Sequence, residues 1–352
     1  MLNDLETLSD SNVLYVAPRL PQTRHALESL FEQNELAAAE PYRGVLAIHF
    51  HPARFEKLSD PLAAVLSREE LQDTKCCVGR LGAEPSQAEL MQTESLQSFF
   101  AWVRGQWLTG MVRDRRLTTF FQPIVECRDP SKVFAHECLL RGRRTDGQFV
   151  SPDRLYSTAR DVDQLDLLDQ AAKITHIESA ARFSLSTQIF INFNLGATHN
   201  FDACLAKTLA AIHASGIPAE RFVFEVTESD KIEDSDRLKQ VLASYRQMGF
   251  RVALDDLGSG YASLNSLTQI KPDFIKLDMQ LIRAVHRDPY KSCVAAKLLE
   301  MARDLKVATV VEGVEERAEW QWAADHGADF AQGYLFARPA AMPPQPQFFP
   351  GT

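Results

Sequence analysis

The sequence lacks any uninterrupted apolar stretch near the ~20 residues that a membrane-spanning helix requires, so no membrane span is expected. Its opening, MLNDLETLSDSN, has neither a basic n-region nor an apolar h-region, which predicts a soluble, cytoplasmic product. CxxC pairs are missing as well. The six cysteines stand at 76, 77, 127, 138, 204 and 293, and only Cys76 and Cys77 are neighbours. That spacing excludes a zinc ribbon and a secreted disulfide framework, and it predicts reduced, packed thiols. Positive charge is in deficit, 38 Lys and Arg against 47 Asp and Glu, giving a net charge of −9. A binder of nucleic acid through a basic face is not expected from that balance.

The composition that remains is that of a folded chain: 352 residues, 45% hydrophobic and 24% charged, long enough for two domains. Residues 1–100 hold 8 basic against 15 acidic residues, whereas the remainder is nearly balanced at 30 against 32. This acidic N-terminal part reads as a small α/β unit, residues 1–86. Strand candidates are Val13–Ala17, Gly44–Phe50 and Lys75–Val78, with a helical stretch over Thr23–Ala38. A phospho-accepting receiver domain needs acids just after its first strand and an Asp ending its third. Here the strands run into Ala17-Pro18-Arg19 and His51-Pro52, which speaks against that fold. Residues 87–116 read as a connecting helix, with Leu90, Leu96, Phe99, Phe100, Val103, Trp107 and Val112 roughly on one side.

Beyond Leu117 the pattern changes. Strand-like runs at Phe120–Val125, Phe134–Arg141, Ile189–Phe193, Arg221–Val226, Arg251–Leu254, Phe274–Leu277, Ala308–Val311 and Phe330–Leu335 alternate with amphipathic helical stretches. Eight strands in this rhythm predict an α/β fold, a (β/α)8 TIM-like barrel, over residues 117–345. The first two runs are too close for an intervening helix, so the opening pair is expected to be antiparallel, a modified barrel.

In such a barrel chemistry sits where strands end on the C-terminal face. Strand by strand, the polar residues there are Glu137 with Arg141, Asn192 with Asn194, Glu225, Asp255-Asp256, Lys276 with Asp278, Glu312, and Gln332. Acids converging on one mouth repel one another unless a cation neutralises them. Carboxylate and amide oxygens without His or Cys suit Mg²⁺ or Mn²⁺, with Ca²⁺ as a competitor. The adjacent aspartates can serve two metals, or one metal and a water, and a two-metal site suits in-line displacement at phosphorus. Any single acid of the set could be a buried ion-pair partner instead; recurrence on strand after strand favours a site.

From Leu117 to Pro339 the chain resembles the EAL-domain family of cyclic di-GMP phosphodiesterases. The resemblance rests on eight ordered stretches: Gln122-Pro123-Ile124, Glu137-Cys138-Leu139-Leu140-Arg141, Phe190–Phe193, Phe224–Ser229, Asp255–Leu264, Ile275–Asp278, Val311–Glu315 and Gln332–Phe336. It implies that Glu137, Asn192, Glu225 and Asp255 ligate one metal and that Asp256 serves a second ion or its water, with Mg²⁺ or Mn²⁺ as the cofactor, two ions in all. It implies further that Lys276 holds the nucleophilic water, that Glu312 is the general base or organises the second metal, and that Glu137 belongs with them in catalysis. Gln122, Arg141, Asp278 and Gln332 then fall to the substrate. Glu228 anchors the loop Asp256–Ser263, whose Gly258 and Gly260 permit tight turns; in the family this loop links the metal site to dimerisation, so a homodimer is implied.

The implied reaction is hydrolysis of one phosphodiester of cyclic di-GMP to linear pGpG, lowering this second messenger under control of residues 1–86. Ca²⁺ is expected to bind without supporting turnover. The alternative is a non-catalytic cyclic di-GMP receptor or protein-interaction module, the form taken by relatives that have lost ligands. The signature reads Glu-Cys-Leu rather than Glu-Ala-Leu, and Cys138 should face away from the metal because alternate strand residues face opposite sides. Asn194 shares a strand face with Asn192, which is preferred because the register through Asn200 fits the family better.

Overall fold

The computed structural model describes residues 12–50, 58, 61–62, 64–80, 93–144, 147–194, 201–226, 235–258 and 264–347. The chain divides into two compact units, one ending at Asp114 and including Tyr156–Gln164, the other comprising Arg115–Leu155 and the chain from Leu165 onward. Among the described residues no helix is long and apolar enough to cross a membrane.

The first unit runs β1 (Asn12–Ala17), α1 (Pro21–Gln33), β2 (Ala38–Tyr42), β3 (Val45–Phe50), α2 (Arg68–Asp73), β4 (Lys75–Arg80), β5 (Glu94–Ser95) and α3 (Leu96–Arg113). The strands form one sheet in the order β2-β3-β1-β4-β5, every adjacent pair antiparallel. This differs from the mostly parallel sheet of receiver-type folds. Alternation puts Leu14, Val16, Leu46, Ile48 and Cys76 on one face. Leu27, Leu30 and Phe31 of α1 and Leu96, Phe99, Phe100 and Val103 of α3 close over them in one core. The helix read over Thr23–Ala38 is shorter than expected. It stops at Gln33, Glu35 takes φ +57°, and the chain turns into the edge strand β2, whose five residues are all exposed and so carry no alternating apolar signal. Cys76, Cys77, Cys127 and Cys138 are buried free thiols, Cys204 is half-buried, and Cys293 is exposed.

The second unit is a closed barrel. Its strands are β6 (Leu117–Glu126), β7 (Val133–Arg143), β9 (Gln188–Asn192), β10 (Phe222–Val226), β11 (Arg251–Leu257), β12 (Phe274–Leu277), β13 (Ala308–Val311) and β14 (Phe330–Ala331), with the short β8 (Phe149–Val150) appended to β7. From β7 to β14 the barrel pairs are parallel, whereas β6 runs antiparallel to both β7 and β14. The six residues between β6 and β7 leave no room for a crossover helix, which explains the reversed opening strand. Around the barrel lie α5 (Leu165–Arg182), α6 (Phe201–Ser215), α7 (Ser235–Gln247), α8 (Leu264–Ile270), α9 (Met279–Ile282), α10 (Pro289–Leu305) and α11 (Arg317–Asp325); α4 (Pro152–Asp161) lies between β8 and α5.

Strand alternation sorts the barrel into layers. Ile124, Ala135, Phe190, Val223, Ala253, Phe274, Val310 and Phe330, one from each barrel strand, pack together in the interior. The outward residues between them, such as Cys138, Ile191, Phe224, Leu254, Ile275 and Val311, pack in the larger outer core with the helices. A step of two residues from each interior position reaches the same face one layer nearer the mouth. Those residues are Gln122, Glu137, Asn192, Glu225, Asp255, Lys276, Glu312 and Gln332. An apolar ring therefore supports a ring that is polar at all eight positions.

A buried polar contact of the outer shell has a measurable consequence. His176 of α5 is buried, its Nδ1 lies 2.8 Å from Thr119 Oγ1, and burial pushes its imidazole down to about 3. The unfolded chain takes up this proton near the ordinary value of 6.5, the folded chain only near 3. Stability from this group is therefore present above pH 6.5 and lost as the pH falls toward 3. The melting temperature is expected to fall between about pH 7.5 and about pH 5, and His176→Gln to reduce the size of that fall.

Candidate functional site

The polar ring closes around one ammonium group. Lys276 Nζ lies 2.6 Å from Glu225 Oε1, 2.8 Å from Glu312 Oε1, 3.1 Å from Asp255 Oδ1 and 3.6 Å from Glu137 Oε2. Lys276 is 1% exposed and Glu225 0%. Burial alone draws the lysine downward, but Asp255, Glu137, Glu225 and Glu312 together reverse this and hold its ammonium well above the usual range. Four carboxylates around one cation leave an excess of negative charge in a poorly solvated place. Burial first, then the neighbouring acids, push Glu225 and Glu312 well above the ordinary carboxylate range despite Lys276.

Hydrogen bonding leaves the ring incomplete. Gln332 Nε2 donates to Glu137 Oε2 at 2.6 Å. Among the described residues, the buried Gln332 Oε1 and Glu225 Oε2 have no hydrogen-bond partner. Buried polar atoms of native proteins are ordinarily satisfied, so two orphaned oxygens facing one acidic cluster fit a cation.

Strand alternation would send Asp256 to the opposite side from Asp255. It does not, because the β11–β12 register shifts between Leu254 and Leu257, and Asp256 adopts φ +56°. This left-handed turn, uncommon for a residue other than glycine, brings both aspartates to the mouth. Oxygens of Asp255, Asp256 and Glu312 then lie within 4.8 Å of one another, an arrangement able to hold a metal ion. Burial and the charge of Asp255 raise the Asp256 carboxyl to about 6.

Above the ring opens a cavity of about 470 Å³. Gln122, Glu137, Asp256, Asp278, Glu312 and Gln332 line it, and so do Met279, Arg283, Gly313, Glu315, Gly333 and Tyr334. Six of the residues read from sequence thus share this cavity, with Lys276, Glu225 and Asp255 directly beneath in contact through the ammonium. Asn192 ends β9 beside Glu225 in the parallel register. Asn194 diverges from it: its backbone N–H donates to Asp169 Oδ1, the carboxylate of a buried pair with Lys173. Asp278 caps α9, accepting from the Gln280 N–H at 2.8 Å. Arg141 is turned aside. Its Nη1 donates to the Leu140 carbonyl, its guanidinium stacks 5.2 Å from the Phe120 ring centroid, and it does not line the cavity. Cys138 is buried on the outer face. Glu228 and Gly260 lie outside the described residues, as do residues 259–263 of the loop tied by resemblance to dimerisation.

Sequence reasoning passed over Met279, Arg283 and Tyr334, which bring an apolar arm, a cation paired with Glu315, and a half-exposed ring to the cavity wall. These residues follow the strand ends in loops, where no periodicity marks them. Gly333 has a structural signal: a Cβ there would sit 2.0 Å from the Val314 carbonyl oxygen, so only glycine lets the backbone beside Gln332 approach that loop.

With this geometry in hand, comparison with known proteins is decisive. The profile of the EAL domain matches residues 106–339. The chain belongs to the EAL domain family. This EAL domain is similar to the c-di-GMP-bound structure of a standalone versatile EAL protein from Vibrio cholerae O395, at 35% identity over 66% of this chain and 95% of that one, with a TM-score of 0.60. The manganese and cyclic di-GMP complex of Klebsiella pneumoniae BlrP1 shares the fold across 94% of this chain and 96% of that chain, at 21% identity and a TM-score of 0.58. Among curated relatives, the probable cyclic di-GMP phosphodiesterase PdeD of Escherichia coli K12 is 25% identical over 264 residues, 73% of this chain and 49% of that protein. The cyclic di-GMP phosphodiesterase NbdA of Pseudomonas aeruginosa is 28% identical over 282 residues, 77% and 34% respectively. The chain thus spans half or less of the length of these two curated relatives.

The charge arrangement makes a stability test direct. Lys276→Met, with divalent ions chelated, is expected to destabilise the barrel by about 3–5 kcal/mol, because it strands a buried cluster of like charge. Denaturant unfolding measures this, and added Mn²⁺ should restore part of the loss.

Proposed function

We propose that the barrel hydrolyses cyclic di-GMP to linear pGpG in a metal-dependent reaction. The observation that carries this reading is the complete polar ring: carboxylates around a buried ammonium, two orphaned oxygens, and an open cavity directly above. The similarity to c-di-GMP-bound EAL structures supports the choice of substrate.

Glu137, Asn192, Glu225, Asp255 and Asp256 would hold the ions, Mg²⁺ or Mn²⁺, and their hard-oxygen donors fit such cations. Bound there, divalent ions supply an acidified water and offset charge growing on the phosphate. The chain's own residues do the rest. Lys276, whose ammonium is the one cation in the ring, orients the attacking water and a phosphate oxygen by hydrogen bonding. Glu312, on the cavity wall and in contact with Lys276, accepts the proton of that water. The phosphorus–O3′ bond then breaks as the new P–O bond forms, and the 3′-oxygen leaves in line and takes up a proton. Gln122, Gln332 and Asp278 fix the substrate from the cavity wall. Arg141 reaches the phosphate only after leaving Leu140 and Phe120.

Purified protein incubated with cyclic di-GMP and Mg²⁺ or Mn²⁺ is expected to produce pGpG, followed by chromatography. Glu137→Ala and Glu312→Ala should each abolish turnover, and Ca²⁺ should bind without supporting it. Tight binding of cyclic di-GMP with no pGpG would replace the enzyme with a receptor.

The first unit is assigned a controlling role over this activity. Phe31→Ala, which should cost that unit about 3–5 kcal/mol, tests it. A changed rate at saturating substrate is expected, and an unchanged rate after the first unit has loosened would remove the assignment.

A further inference from the structure

Outside the ring, one buried carboxylate joins two of the loops that wall the cavity. Glu319, in the first turn of α11, is 2% exposed. Its Oε2 accepts from the backbone N–H groups of Glu315 at 2.9 Å and Glu316 at 3.0 Å. Those bonds belong to an ordinary capping box, in which the N3 acid satisfies the start of its own helix. Oε1 does something a cap does not require. It accepts at 2.8 Å from the N–H of Ala284, 35 residues away in the segment that follows β12.

Two further features show that this link holds a strained, close approach. Ala284 has φ +59°, a left-handed conformation costly for a residue with a Cβ. It aims the Ala284 N–H at Glu319. Gly313, immediately after Glu312, has φ +66°, and a Cβ there would lie 2.2 Å from the Cβ of Met279. The loops after β12 and β13 therefore touch backbone to backbone at the cavity wall, Asp278 and Met279 on one side, Glu312 and Gly313 on the other. Arg283 paired with Glu315, and Arg287 Nη2 3.1 Å from Glu316 Oε2, add exposed links across the same seam. Exposed pairs of that kind hold little. The buried carboxylate with three amide donors is the strong element.

We propose that Glu319 is a positioning residue for the phosphodiester hydrolysis assigned to this site, clamping the β12 and β13 loops so that Glu312 stays in register with Lys276 and the cavity floor. The inference rests on that functional reading. Glu319 touches neither the cavity nor the ring; it acts through Ala284 on one loop and Glu315 on the other.

The test uses Glu319→Gln in the full chain, which keeps one carbonyl acceptor and sets an amide N–H against a backbone N–H. Glu319→Asp, too short to reach both loops, serves where the first variant does not fold. Hydrogen exchange should show lost protection at the amides of Ala284, Glu315 and Glu316. With Mn²⁺ and cyclic di-GMP, kcat should fall about 10–100-fold, the scale on which supporting residues act. KM should move by no more than about twofold. Asp329→Asn is the control. Asp329, an exposed residue, ties the opposite end of β13, accepting from Thr309 N and Oγ1 at 2.9 and 3.0 Å. It should lower the melting temperature while leaving kcat in place. Unchanged amide protection in the Glu319 variants, kcat within about twofold of wild type, or an equal kcat loss in Asp329→Asn would each overturn the proposal. An inert wild-type protein would fell the hydrolase reading and this inference with it, whereas an active wild type beside a fully active Glu319→Gln would fell this inference alone.

Discussion

The second unit is organised around the confrontation of one ammonium with four carboxylates. Lys276 cannot be solvated where it lies, and neither can Glu225, so the energy of each depends on the other. Ion pairs of this kind cost more in desolvation than they return in attraction unless further partners complete them. Here the completion is partial. The ring keeps an excess of acid, and Glu225 Oε2 and Gln332 Oε1 lack hydrogen bonds among the described residues. A fold that places so much uncompensated polarity in its interior spends stability on a function.

What makes the cluster tolerable is the layer beneath it. The interior apolar ring is rich in aromatic bulk, with Phe134 stacked on Phe330 at 3.8 Å and Phe190 edge-on to Phe274 at 5.2 Å. This plug seals the barrel from below, so solvent and ligands meet the polar ring only from the mouth. It also fixes strand register. Because side chains alternate with a period of two, a one-residue slip of any strand would exchange a polar-ring residue for an outer-core one, such as Glu225 for Phe224. The apolar and polar rings thus hold each other in place, and geometry at the mouth inherits the rigidity of the core.

The same periodicity explains why most of the barrel was readable from sequence. Runs such as Phe222-Val223-Phe224-Glu225-Val226 show an acid at the only polar step of a buried strand; eight runs in order define the fold, and polar residues at seven strand ends mark all of the ring but Gln122. The short gap between β6 and β7 sufficed to anticipate their antiparallel pairing. Legibility ended where structure departs from periodicity. Alternation alone would misplace Asp256, which is read into the site only as the neighbour of Asp255 at a strand end; the register shift and φ +56° that turn it inward leave no mark on the sequence. Arg141 has the right position on its strand, yet its side chain is engaged by Leu140 and Phe120. In the first unit β2 escaped notice because all five of its residues are exposed.

Glu319 shows a third kind of silence. Its local signal, an acid three residues after another at a helix start, is common and reads as a cap. The bond that matters reaches Ala284, and no local pattern announces a contact across 35 residues. Oxygens that are to hold an ion or a ligand must be placed more tightly than loops ordinarily are. Lys276 sits within β12, and Glu312 stands just past the end of β13, where its N–H still donates to the Leu277 carbonyl at 3.1 Å before Gly313 leaves strand geometry at φ +66°. From Gly313 onward, contacts beyond that bond locate the loop. The carboxylate of Glu319 that holds Ala284 is such a contact, a buried group that solvent screens far less than the surface ion pairs along the same seam.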